Sequence, residues 1–176
     1  MLSATSTPKS KQRQLADRFV QAFNNMDVDY ISSTRAPDCL RHILPTTLGH
    51  APMDNRTFIS SLHHLKAIFH NFSLTCHDVI EDAGSHRIWM YLTARADTVV
   101  GEYVNEYVWF LTFDEAGEKI VESKEFVDTI MNRDFFPKLA KAMREQQQQQ
   151  QQTDGTNNKA KAGGQREGME VNGSAR

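Results

Sequence analysis

Apolar residues recur along this chain first with a helical period and then with a strand period. Leu15, Phe19 and Phe23 stand four apart, with Ala16, Val20 and Ala22 beside them. That spacing predicts an amphipathic helix from Lys11 to about Asn24-Asn25. Asp27 can accept the free amides of a following first turn and so predicts the cap of a short helix over Val28 to Ser33. Pro37 stops that helix by disfavouring helical geometry at Ala36. The run Cys39 to Pro45 is short and apolar, which predicts an edge strand closed by Pro45. Thr46 to Pro52 is a Gly- and Pro-marked loop, and Asp54 or Asn55 offers the next cap. Phe58, Leu62, Leu65 and Phe69 then repeat at spacings of four, three and four, predicting a third helix over 55–70 with its stripe on a sheet.

After Asn71 the period becomes two. Phe72 to Glu81 and Arg87 to Thr98 read as strands around an Asp82-Ala83-Gly84-Ser85 turn, the second carrying Trp89, Tyr91, Thr93 and Arg95 at alternate positions. Gly101 to Phe113 and Lys119 to Asp128 read as a long hairpin closed at Gly117. Asp134 to Met143, with Phe135, Phe136 and Leu139, is a last short helix. Helices first, then consecutive antiparallel strands, predict an α+β fold: a cone-shaped, curved antiparallel sheet covered on one face by the N-terminal helices. A ligand would lie between those helices and the concave face of the last strands.

Composition sets the edges of this domain. Residues 1–10 are small, polar and proline-broken, and beyond Arg144 seven glutamines lead into a segment with almost nothing to bury. The expected division is therefore a loose tail over 1–10, one folded domain over 11–143 and a disordered Gln-rich tail over 144–176. A formal charge of -2 gives no basic patch for nucleic acid or an acidic membrane surface. Cys39 and Cys76 lack metal or redox spacing, and no charged-then-apolar leader is seen, so a reduced, cytoplasmic protein is expected. Two glycosylation sequons, at Asn55 and Asn71, read as chance matches in such a setting.

The chemistry-bearing candidates lie in the last hairpin. Glu106 alternates with Val104, Val108 and Phe110, and Glu125 with Val121, Ser123 and Val127. A carboxylate among apolar neighbours is desolvated, which raises its pKa towards values useful to a general base. Glu106 is the first choice, weighed evenly against an ion pair with Arg95, itself a candidate substrate contact. Glu125 could complete an acid and base pair, or stand in a buried salt bridge, the slightly favoured reading. Asp128 ends the strand as a cap for the last helix. Asn105 and Tyr107 point opposite to Glu106 in a regular strand and are candidates for the substrate or the dimer face. Arg35 could hold a carboxylate or enolate oxygen, or pair with Asp38 or Asp29; His42, mid-strand, is a third catalytic candidate or a satisfied core histidine. Trp89, Tyr91 and Trp109 form aromatic faces that predict a covering partner, a second copy of the chain, with ligand stacking as the second reading. His63, His64 and His70 on the third helix and the Cys76-His77 pair make only weak metal sites.

Read together, Arg35-Ala36-Pro37-Asp38-Cys39, His42, Leu44-Pro45, Ala96-Asp97-Thr98, Gly101, Tyr103, Asn105-Glu106-Tyr107 and Glu125-Phe126-Val127-Asp128 resemble the fungal SnoaL-like proteins of the nuclear-transport-factor-like superfamily, over about residues 11–140. The resemblance implies a conical α+β barrel, a cofactor-free homodimer and isomerase or cyclase chemistry on polyketide or meroterpenoid intermediates. Bacterial cyclases and dehydratases of that superfamily pair an acid with a pocket histidine, yet no histidine lies between Arg87 and Asp128. The expected function is proton transfer beside a carbonyl of a hydrophobic oxygenated small molecule, with no cofactor or metal. The rivals are a non-catalytic binding or dimerisation module and a dehydratase.

Overall fold

The computed structural model describes residues 8–164, with side chains over 8–149. Helix α1 (Lys11–Asn24) starts where the Ser10 hydroxyl accepts the Arg13 amide at 3.0 Å, and it buries Leu15, Phe19, Phe23 and their neighbours. Helix α2 (Val28–Ser33) is capped by Asp27, whose carboxylate accepts the Tyr30 amide. Strand β1 (Arg35–Leu44), a short 3₁₀ turn (Thr46–Leu48) and α3 (Asn55–Ile68) follow. Four strands then run in sequence: β2 (His70–Asp82), β3 (Arg87–Thr98), β4 (Gly101–Phe113) and β5 (Ile120–Val127). Helix α4 (Thr129–Gly164) closes the fold, its first amides, Ile130 and Met131, accepted by Asp128 at 2.9 and 3.1 Å.

The five strands form one sheet in the order β1-β5-β4-β3-β2. From β2 to β5 the pairing is antiparallel, as expected of consecutive hairpins, while β1 joins β5 in parallel. Register shifts occur near Arg35/Leu40, His70/Ser73, Cys76/Asp78 and Thr112/Phe113. Each inserted residue bends and twists its strand, which curls the sheet around the helices. Ile88, Met90, Leu92, Ala94 and Ala96 of β3 turn inwards, and their partners across the ladder, Leu111, Trp109, Tyr107, Asn105 and Tyr103, turn inwards with them. The turn at Gly117 (φ +68°) packs so tightly on α1 that an added Cβ would sit 3.0 Å from the Gln12 backbone nitrogen.

Both sheet edges are covered. Along β2, the Asn24 side chain donates to the Leu74 carbonyl at 3.0 Å and accepts its amide at 2.6 Å, acting as one residue of an additional strand. Along β1, Met53 exchanges two backbone hydrogen bonds of 2.9 Å with Arg41. Pairing off these groups removes the template an open edge would present.

The α+β plan is as the sequence indicates, with differences at the ends of elements. β1 begins at Arg35 instead of Cys39, because the chain extends straight out of Thr34 and Pro37 lies in the irregular stretch where no ladder amide is required. His70 opens β2 and is not on α3. Trp109 is a core residue, not part of an exposed aromatic face. The last helix starts at Thr129 and runs through the glutamines to Gly164, where a disordered tail was expected from residue 144; glutamine is a good helix former. The expected loose segment 1–10 falls mostly outside the described residues, as do residues 165–176.

Candidate active site

Between α1, α3 and the start of α4 on one side and the concave sheet on the other lies a cavity of about 1080 Å³. Its walls are mostly apolar: Phe23, Phe58, Leu62, Phe69 and Phe136 are among them. Polar groups converge from β1, β4 and β5. Arg41 and Ile43 face inwards from β1, Tyr103, Tyr107 and Trp109 from β4, and Glu125 and Val127 from β5. Parallel register sets Ile43 beside Glu125, and antiparallel register sets Trp109 beside the same residue.

Glu125 is 6% exposed and receives a two-pronged ion pair from Arg41. Arg41 Nε meets Oε1 and Nη2 meets Oε2, each at 2.6 Å. The guanidinium also lies over the Phe58 ring at 5.0 Å, and its Nη1 has only the soft Met53 sulfur at 3.6 Å. Burial by itself would lower the Arg41 pKa, but the neighbouring carboxylate more than offsets this and raises it, so the guanidinium keeps its charge. A carboxylate has about four lone-pair sites. Two are filled by Arg41, which leaves Glu125 able to accept a proton and Arg41 able to meet a second oxygen.

A chain of phenols runs alongside. Tyr103 and Tyr107 hydroxyls are 2.6 Å apart, and the Asn105 amide donates to the Tyr103 oxygen at 2.7 Å while its carbonyl accepts the Asp128 amide at 3.1 Å. Burial, the other phenol and the Glu125 charge push the Tyr107 pKa well above the ordinary value; burial also raises Tyr103. Both remain neutral donors at working pH. A phenolate base is thereby removed from the chemistry, and an oxygen that develops negative charge in this corner meets a phenol and a guanidinium.

The structure divides the sequence candidates sharply. Glu125, Tyr107 and the supporting Asn105 belong to the cavity. Glu106 does not: it pairs with Thr93 in the ladder and is exposed on the opposite face. Val104, Val108 and Phe110, taken as a core stripe, line the outer face of β4, so Glu106 and Glu125 share no chamber. Arg35 is 4% exposed but faces away from the cavity, bound to Asn55 Oδ1 at 2.7 Å, Ser123 Oγ at 3.0 Å and the Cys39 carbonyl at 3.4 Å. It ties the start of β1 to β5 and α3 instead of contacting ligand. His42 sits on the outer face 3.6 Å from Glu122, and Arg95 pairs with Glu102 at 2.7 Å, more than half exposed. Arg41 and Tyr103 are cavity residues that the sequence does not single out as chemical groups, and Trp109 lines the cavity, where ligand stacking is the second reading of its aromatic ring. Alternation from buried Cys39 through Arg41 to Ile43 was the one available signal for the arginine. Among the described residues no group of three or more His, Cys, Asp and Glu is placed to hold a metal ion, and no helix is long and apolar enough to cross a membrane.

Comparison with known proteins places this geometry in context. No family model matches the chain. A relative called monooxygenase dmxR10, from Cryptosporiopsis, is 32% identical over 141 residues, 79% of this chain and 94% of its own. Among solved structures, the BvnE pinacolase of Penicillium brevicompactum superposes with a TM-score of 0.71 at 29% identity, covering 76% of this chain and 96% of its own. The protein is a fungal SnoaL-like protein. Austinoid biosynthesis cluster protein F of Aspergillus calidoustus is a further relative of this SnoaL-like chain, 30% identical over 140 residues, 77% of the chain and 79% of its own.

Two outcomes follow from the ion pair and the phenols. Arg41→Met strands a buried carboxylate and is expected to cost about 3–5 kcal/mol of stability, whereas the double variant Arg41→Met/Glu125→Leu recovers most of it, read by urea unfolding. For the phenols, the unfolded chain releases its tyrosine protons from about pH 10 while folded Tyr103 and Tyr107 keep theirs. Stability therefore falls as pH rises from that point to the folded values. In the Tyr103→Phe/Tyr107→Phe variant this alkaline loss, followed by thermal melts, is expected to shrink.

Proposed function

We propose that this SnoaL-like protein is an isomerase or cyclase of secondary metabolism that moves a proton on a hydrophobic, oxygenated polyketide or terpenoid intermediate. Glu125 takes the proton from a carbon beside a carbonyl. Arg41 and Tyr107 hold the resulting enolate oxygen, and Glu125 returns the proton to a different atom of the same conjugated system. The observation that carries this reading is the Arg41–Glu125 ion pair standing, with neutral phenols, inside a mostly apolar cavity large enough for a polycyclic substrate. The pinacolase and austinoid-cluster names of relatives support rearrangement chemistry of this kind. The relatives called monooxygenases support a second reading. There the enolate formed by Glu125 would meet dioxygen, the substrate supplying the electrons that reduce the second oxygen atom to water.

The test uses Glu125→Gln in the producing organism. The expected result is a fall of about 10²- to 10⁴-fold in product formation. The accumulated compound is expected to match the product in mass. One heavier by a water would mark a dehydratase, and one with one oxygen fewer and two hydrogens more than the product the second reading. Full turnover by a folded Glu125→Gln protein would remove the proposed base, and a cavity that merely stores a ligand would leave no accumulated precursor.

The outer sheet face supports a homodimer. Ile80, Trp89, Tyr91 and Phe126 are exposed there at 62, 49, 40 and 48%, and Trp89 packs edge-on against Phe110 at 4.8 Å. Glu122 lies among them, 2.8 Å from Lys124, so a copy related by a two-fold axis finds both apolar surface and both charge signs. Trp89→Glu is expected to shift sedimentation from dimer to monomer with an unchanged far-ultraviolet circular dichroism spectrum.

A further inference from the structure

One donor in the cavity has no assigned use. Trp109 is 4% exposed and lines the chamber, and its Nε1–H is the one buried side-chain polar atom, among the described residues, without a hydrogen-bond acceptor. An indole N–H is a donor only, and leaving such a group unpaired in an apolar interior costs about 1–3 kcal/mol. The Trp109 N–H meets neither of the acceptors beside it, which turn towards other groups. Glu125, directly opposite Trp109 on β5, gives both oxygens to Arg41, and the Tyr107 hydroxyl is bonded to Tyr103. Aromatic neighbours fix the indole plane: Phe19 at 5.7 Å, Phe23 at 5.1 Å and Tyr107 at 6.2 Å between ring centroids. The ring has little freedom to turn and find a protein acceptor.

We propose that Trp109 is a specificity-determining residue whose indole N–H donates to an uncharged oxygen of the substrate, a carbonyl or ring oxygen distinct from the one held by Arg41 and Tyr107. The inference rests on reading the cavity as the substrate chamber, and it narrows the substrate to molecules with two oxygen functions. A site built to hydrogen-bond a substrate group discriminates strongly against the analogue that lacks it, because the buried donor is then left unpaired. A polycyclic molecule of the same shape with one oxygen would be held more weakly by this device.

The chain has two tryptophans, Trp89 on the outer face and Trp109 in the cavity, so the ¹⁵N-labelled protein gives two indole cross-peaks, assigned with Trp89→Phe. The probes are 4-chromanone and 1-tetralone, which share a ring skeleton and a carbonyl and differ by a ring oxygen. Occupancy is read independently from methyl shifts of Leu62, Ile43 and Met53. The expected result is a downfield move and slower hydrogen exchange of the Trp109 indole proton with chromanone, neither with tetralone, and a still Trp89 peak. Trp109→Phe is expected to weaken chromanone binding by up to about tenfold and leave tetralone unchanged. Chromanone that occupies the cavity while moving the indole proton no more than tetralone does would overturn the inference, as would failure of both probes to enter. An indole proton that stays upfield over the Phe23 ring with either probe overturns it too, assigning the N–H to a ring contact. The wild-type spectra stand if Trp109→Phe fails to fold. An active Glu125→Gln protein would sink the proton-transfer reading yet leave the indole shift in place, so the two failures are separable.

Discussion

The ion pair between Arg41 and Glu125 is the constraint on which the site depends. Taking two charges out of water costs several kcal/mol per ion, and the mutual attraction repays this only when the geometry is good and the remaining hydrogen-bonding positions are served. Here the geometry is a fork on a fork, with both contacts at 2.6 Å. The pair bridges β1 and β5, the parallel junction of the sheet, and the Arg41 backbone is held from the other side by Met53. Held on both sides, Arg41 keeps its fork on Glu125 in a chamber whose other walls are mostly apolar. A charge kept in such surroundings acts on an occupant more strongly than it would in bulk water, because apolar walls screen it less.

Much of the architecture was legible in the sequence, and the reasons are local. The four-residue beat of Leu15, Phe19 and Phe23, the Asp27 cap and the bounds of β3 and β4 all follow from periods and end signals within a short window. The site was legible only in part. Both faces of β4 are apolar, one because it lines the cavity and the other because Val104, Val108 and Phe110 form a half-buried outer band. Alternation alone therefore could not say which face was inside. The true inner face, with Tyr103, Asn105 and Tyr107, carries polar atoms that mimic a surface, and Glu106 was favoured in consequence. Glu125 was found because Ser123 and Val127 flank it on an inward face. Arg41 was not, because an arginine between Leu40 and His42 on an edge strand reads as exposed until its partner, 84 residues away, is brought beside it.

The two faces of the sheet divide the labour that the sequence alone could not apportion. Inward residues make the chamber and its charged pair; outward ones, His42, Glu122, Lys124, Arg95 and Glu102, make ordinary exposed or half-exposed ion pairs worth little individually. Family likeness was carried partly by residues of both kinds. The short runs around Arg35, Asn105 and Glu125 therefore identify the fold more securely than they identify which members touch a ligand. Arg35 illustrates this, a buried cation held by Asn55, Ser123 and the Cys39 carbonyl and lying over the Phe58 ring at 4.6 Å.

Asn105 has a mechanical consequence. One side of its amide holds the oxygen of Tyr103 and the other holds the backbone of Asp128, the residue that starts α4. The wall formed by α4 and the proton-bearing phenols are thus joined through a planar group of fixed width, with the Glu106 carbonyl as a second acceptor of the Asp128 amide at 3.1 Å. A molecule that wedges the helix outwards must either stretch that link or drag the hydroxyls with it, so fit against the wall is translated directly into alignment of the donors.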